Sequence, residues 1–251
     1  MSEPMFSLKG KNALVTGAGR GMGLGVARAL ARQGARVAVN DFYPDRAEAA
    51  AEQLRSEGFD AIGVAADITD PAQLKQMVAR VDEAFGSLDI FVANAGVPVD
   101  GMGYGKFIDS DPAQWQQFLD LNLTALMHGA QAVLPGMLDR GWGRIICITS
   151  ESWRAGVPMG IAAYAASKAG AVGFIRQLAS ETGRQGITVN GLSLGTMNNW
   201  DGSERIAAKS CMVPRAGSPE DVGAGVAYLA STEASWVTGQ IHPLNGGSLT
   251  A

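Results

Sequence analysis

The sequence predicts a single α/β domain: a doubly wound parallel sheet of about seven strands with helices on both faces. Three observations carry this expectation. Short Val- and Ile-rich runs alternate with longer amphipathic segments along the chain, and strictly alternating β and α elements imply a parallel sheet covered on both sides. Crossovers between parallel strands are right-handed, which gives a doubly wound sheet. No linker rich in Pro, Gly and Ser and no internal repeat divides the chain, so residues 1–251 read as one unit.

The runs NALVT (12–16), RVAVN (36–40), AIGVA (61–65), DIFVA (89–93), RIICIT (144–149) and TVNGLS (188–193) read as the first six strands, rich in Val and Ile and bounded by Gly, Asn or Asp. QIHPL (240–244) is the seventh, and its Pro243 suits an edge position. A helix over 21–33 keeps Leu24, Ala27 and Leu30 on one face, and one over 45–57 opens with Asp45 as its cap. Three more begin with a capping residue followed by proline: 71–85 after Asp70, 112–138 after Asp111 and 219–230 after Ser218. A further helix covers 162–183. Residues 195–213, which hold Asn198, Asn199, Trp200, Asp201, Gly202 and Ser203, break the rhythm and read as a mobile loop near the carboxyl edge of the sheet.

Hydrophobic residues make up 47% and charged residues 18% of the chain, enough to build a core without disulfides or metals. The net charge of −4, with no basic block, argues against a nucleic-acid groove and an anionic membrane partner. Cys147 lies in an apolar run and reads as a buried thiol; with Cys211 it forms no CxxC, and His128 and His242 fit no HExxH spacing, so no metal is expected. The N-terminus lacks the apolar segment of a signal peptide and no run approaches the ~20 residues of a membrane span, which together suggest a cytoplasmic protein.

The first strand runs into TGAGRGMG, with glycines at 17, 19, 21 and 23 just before a helix. Glycine there lets the chain turn sharply and lets a pyrophosphate approach bare backbone, while the helix start offers unpaired N–H groups. The spacing also suits a tight βα turn with no ligand. Asp41 ends the second strand, where a carboxylate accepts hydrogen bonds from an adenosine ribose and repels a 2′-phosphate; this favours NAD over NADP, although Asp41 also suits a cap or turn. Arg20, inside the glycine turn, favours a phosphate instead. Asp67, after the third strand, reaches the adenine or simply closes a turn. Asn94 and Gly96, in ANAGVP, fall at the carboxyl edge where ligands of open sheets collect.

Ser150 ends the fifth strand at the same edge, and GIAAYAASKAG follows, with Tyr164 and Lys168 one helical turn apart. A free phenol, with a pKa near ~10, gives up its proton poorly at neutral pH; an ammonium one turn away stabilises the phenolate and lowers that value. Such a tyrosine can act as general acid/base on a carbonyl oxygen that Ser150 holds in place. The small residues between Tyr164 and Lys168 leave room for a flat nicotinamide. The plainer alternative is a surface Tyr/Lys pair.

Together, TGAGRGMG, ANAG, Ser150 and YAASK, with the stretch from PRAGSPEDV to LNGG, resemble the short-chain dehydrogenase/reductase family over nearly the whole chain. The resemblance implies a Rossmann-type fold with an extra C-terminal strand and a nicotinamide cofactor. It implies Tyr164 as the acid/base, Lys168 on the nicotinamide ribose and Ser150 orienting substrate. Asn122, in LDLNL, would hold a water in a proton relay. Met22, Ile68, Gly195 and Met197 join the glycine turn, Asp41, Asp67, Asn94 and Gly96 in the implied cofactor site. The implied assembly is a homotetramer built partly from helices 112–138 and 162–183.

Four departures stand out. The family's usual serine-to-tyrosine gap is one shorter, which lands on Glu151; Ser152 is a rival to Ser150, which is preferred because it directly ends the fifth strand. Leu194-Gly195 replaces Pro-Gly, Asn199 stands where a threonine often touches the carboxamide, and Asn245 replaces a more usual aspartate. The expected function is NAD-dependent interconversion of a secondary alcohol and a ketone. The alternatives are an NADP-dependent 3-oxoacyl-thioester reductase and a non-catalytic nucleotide-binding protein. Trp153, Met159, Met197 and Trp200 either wall an apolar substrate pocket or pack as core and lid. Arg154 either meets a substrate carboxylate or is solvated.

Overall fold

The computed structural model describes residues 4–250. Seven strands, β1 (Asn12–Val15), β2 (Arg36–Asp41), β3 (Ala61–Ala65), β4 (Ile90–Ala93), β5 (Gly143–Ser150), β6 (Ile187–Leu194) and β7 (Ile241–Leu244), form one sheet in the order β3-β2-β1-β4-β5-β6-β7. Every neighbouring pair is parallel. The strand order reverses between β1 and β4, and that crevice is where open α/β sheets collect ligands. The central strands are buried along almost their whole length because both of their faces are covered.

The helices are α1 (Gly21–Arg32), α2 (Pro44–Ser56), α3 (Pro71–Phe85), α4 (Pro112–Leu119), α5 (Ala125–Arg140), α6 (Ala162–Thr182), α7 (Ser203–Ser210) and α8 (Pro219–Ala230). One core joins side chains of α1, α2 and α8 to one face of the sheet, through Val26, Leu30, Leu54 and Val226. The other joins α3, α5 and α6 to the opposite face, through Met77, Val81, Val133 and Ile175. α1 and α8 pack closely because Gly25 faces Pro219 and Gly223 faces Ala29, where side chains would collide.

The expected elements stand with their ends moved by a residue or so, and three expectations change. α2 starts at Pro44 with Tyr43 as its cap residue, and Asp45 sits in the first turn, because a proline is most at home in the first helical position. The helix expected over 112–138 is two helices joined by a π-helical turn, Asp120–Thr124. The loop expected over 195–213 contains α7, whose two turns bury Ala207. Among the described residues, no helix is long and apolar enough to cross a membrane, and no group of side chains is arranged to hold a metal ion.

Candidate active site

The turn after β1 is tied to the turn after β4. Asn94 Nδ2 donates to the carbonyls of Thr16 (2.9 Å) and Gly17 (3.1 Å), and Thr16 Oγ1 accepts from the backbone N–H groups of Asn94 and Ala95. Gly17 has φ +60, and a side chain there would press on Ala95. Gly21, at φ +57 and the first residue of α1, faces open space. A helix start with bare, open backbone at the strand-order reversal is a cradle that a phosphate fits. Asn94 is therefore a brace of this turn, a role its position in ANAG did not reveal.

Asp41 is 7% exposed at the end of β2, and its Oδ1 accepts from Tyr43 N–H at 3.1 Å. A side chain on Gly19 would run into Asp41 Oδ2 and Arg46, so glycine is what lets the turn pass over this carboxylate. Arg20 is exposed just before α1, and Arg46 lies over the Tyr43 ring. Asp67 Oδ1 accepts from both the backbone N–H and hydroxyl of Thr69, the turn-closing arrangement. Met22 is half-buried and Ile68 buried in the two cores on either side of this crevice.

Tyr164 and Lys168 lie in the first two turns of α6. Lys168 is 3% exposed, and its Nζ donates to the Ile148 carbonyl of β5 at 2.8 Å and stands 5.7 Å from the centre of the Tyr164 ring. The Tyr164 ring meets Phe118 of α4 edge-on at 5.9 Å. Asn122 sits in the π-turn; it is buried, and neither amide atom has a hydrogen-bond partner. A side chain on Gly96 would come within 2.8 Å of both Asn122 Oδ1 and Lys168 Nζ, so three of the expected residues converge. A cavity of about 10 Å³ touches Thr16, Asn122, Cys147 and Lys168. Burial raises the pKa of the Cys147 thiol, which keeps it protonated beside this cavity.

Ser150 ends β5 opposite Leu194, and its Oγ accepts from Ser152 N–H at 3.3 Å. Ser152 Oγ is buried without a partner. Trp153 is half-buried; its indole N–H donates to Ser193 Oγ at 3.2 Å and its ring lies against Arg176. Met197 is buried against Gly217, while Met159 and Trp200 are each 41% exposed. Gly195 packs on Asn245. Arg154 is partly buried and pairs with Glu151 at 2.7 Å.

A family model described as enoyl-(acyl carrier protein) reductase matches residues 17–248. The 3-oxoacyl-[acyl-carrier-protein] reductase FabG of Vibrio cholerae is 35% identical over 248 residues, covering 96% of this chain and 98% of that protein. The chain belongs to the short-chain dehydrogenase/reductase family. Two solved structures superpose closely. A gluconate 5-dehydrogenase from Burkholderia cenocepacia in complex with NADP and tartrate is 31% identical, with 98% of both chains covered and a TM-score of 0.90. A 7α-hydroxysteroid dehydrogenase complexed with NADH and 7-oxo glycochenodeoxycholic acid is 32% identical, with 98% and 97% covered and a TM-score of 0.90. As a short-chain dehydrogenase/reductase the chain is an oxidoreductase that takes a nicotinamide cofactor.

Proposed function

We propose that this protein interconverts a secondary alcohol and a ketone with NAD(H), and that Tyr164 is its general acid/base. The observation that carries the reading is Lys168, a buried ammonium fixed on the Ile148 carbonyl one helical turn from Tyr164 and beside Gly96. Fixed positive charge in a water-poor site favours the negative charge that develops on a phenolic oxygen during proton transfer. The turn after β1, with Gly17, Gly21 and Gly23, would hold the pyrophosphate, and Lys168 the nicotinamide ribose. The nicotinamide would supply the hydride exchange. Ser150 would orient the substrate oxygen: its Oγ already accepts from Ser152 N–H, which leaves the hydroxyl proton to donate. Asn122, with its amide unmatched beside the small cavity, would hold a water that feeds protons toward Lys168.

Asp41 supports NAD, because a buried carboxylate at the end of β2 repels a 2′-phosphate. Replacing Tyr164 by Phe removes one oxygen and is expected to lower ketone reduction by about a thousandfold while NADH binding, read by its fluorescence, persists. Turnover within about tenfold of the parent would defeat the assignment.

A second reading, an NADP-dependent 3-oxoacyl-thioester reductase, is favoured by Arg20, exposed in the glycine turn, and by Arg46, which flanks Gly19. NADPH binding clearly tighter than NADH binding would favour it. We further propose that the chain works as a homotetramer in the cytoplasm. In support, large apolar side chains such as Trp236, Ile108 and Met212 stand 97%, 86% and 76% exposed.

A further inference from the structure

Two departures of the sequence meet in the fold: the longer Ser150-to-Tyr164 spacing, which puts Glu151 where the usual gap would place the serine, and Asn245 in place of aspartate. Glu151 is 8% exposed. Its Oε2 accepts from Arg154 Nη2 at 2.7 Å and Nε at 3.1 Å, and from Asn245 Nδ2 at 2.9 Å. Asn245 Nδ2 also donates to the Leu249 carbonyl, and its Oδ1 accepts from Gly247 N–H, so one amide ties residues 247 and 249 to Glu151. An aspartate at 245 would set two carboxylates in contact in a nearly dry place, where like charges repel strongly. The amide donates instead. The two departures account for each other.

Glu151 opens the 3-10 turn Glu151–Trp153, and Ser150 caps that turn through Ser152 N–H. A force on Glu151 is thus a force on the backbone that aims the Ser150 hydroxyl. We propose that Glu151 is a positioning residue, clamped by Arg154 and Asn245, that fixes Ser150 in the orientation substrate requires. The inference rests on the reading above that Ser150 holds the substrate oxygen. The bonds that hold Glu151 run to Arg154 and Asn245 and not to the glycine turn after β1, so a change at Glu151 is expected to act on turnover rather than on the KM for NADH.

The test is a double-mutant cycle on the full chain, following NADH consumption with the best-reduced ketone of a panel that includes cyclohexanone and acetophenone. Glu151→Gln keeps size and one acceptor but loses the charge pairing with Arg154. It is expected to lower kcat about tenfold with the KM for NADH unchanged, yet to change turnover less than about twofold once Ser150 is already alanine. Losses that multiply across the two sites would show that Glu151 does not act through Ser150. A lowered melting temperature with unchanged kcat would reduce it to a structural role and overturn the proposal. If Ser150→Ala alone keeps parental turnover, the serine's role in the proposed function fails and this inference falls with it. Asn245→Asp approaches the clamp from the residue after β7 and decides the matter should Glu151→Gln fold poorly. It is expected to lower kcat at constant KM for NADH, and parental kcat in that variant would overturn the clamp.

Discussion

Gly96 shows how little room the candidate site has. Its φ is not in the left-handed region, so an alanine fits the backbone; the added methyl instead meets Asn122 Oδ1 and Lys168 Nζ, each at 2.8 Å. Both are ends of side chains and give way more cheaply than backbone does. Gly96→Ala is therefore expected to leave the melting temperature within about 5 °C of the parent. It is expected to cut kcat at least about tenfold by displacing the lysine from Ile148. Calorimetry beside steady-state kinetics checks both halves. At this scale the sequence was readable where one residue type has one use, as with Gly21 at a positive φ and Lys168 four positions after Tyr164. It was unreadable where a backbone atom does the work: no residue type marks the Ile148 carbonyl as the lysine's acceptor. The partner of Trp153 was unreadable for a related reason. The tryptophan's apolar body suits a pocket wall, but its indole N–H needs a partner and finds Ser193.

Among the elements, α8 has the most complete start. Ser218 Oγ accepts from Asp221 N–H, Asp221 accepts from Ser218 N–H, and Arg215 grips the same carboxylate at 2.6 and 2.9 Å. Arg215 first, then Ser218, holds the Asp221 carboxyl well below the usual carboxylate range. A depressed carboxylate contributes stability that is complete above its unfolded value, about 4, and lost as pH falls through the folded one. Arg215 is mostly exposed and Asp221 partly so, and solvent screens their ion pair, so the pair contributes little and the cap dominates. Asp221→Asn is expected to cost about 1 kcal/mol at pH 7 and to lose less further stability than the parent between about pH 4 and 2, which urea unfolding at both ends will measure. Proline after a capping residue marked the starts of α3, α4 and α8 in the sequence. The π-turn through Asn122 had no such mark, because one altered hydrogen-bond step inside an otherwise helical pattern changes no residue's preference enough to be read.

Taken whole, the molecule followed from its alternating apolar runs, because strands covered on both faces are rich in Val, Ile, Leu and Ala. The clamp of Glu151 on Asn245 did not, since its partners are 94 positions apart and become neighbours only when β6 pairs with both β5 and β7 and brings their carboxyl ends to one edge of the sheet. Trp236, 97% exposed between α8 and β7, belongs to the proposed assembly. Trp236→Glu is expected to shift the sedimenting species from four chains to a smaller one, and an unchanged mass would remove that residue from the contact.

β7 closes one side of the sheet, and its Pro243 acts there in a second way. Gln240 and Leu244 turn their carbonyls toward β6, where they accept from Gly191 and Gly195. Backbone directions alternate along a strand, so Pro243 faces outward. A foreign strand arriving at that border therefore finds a missing amide in mid-row, and the sheet cannot be extended copy upon copy into a fibre.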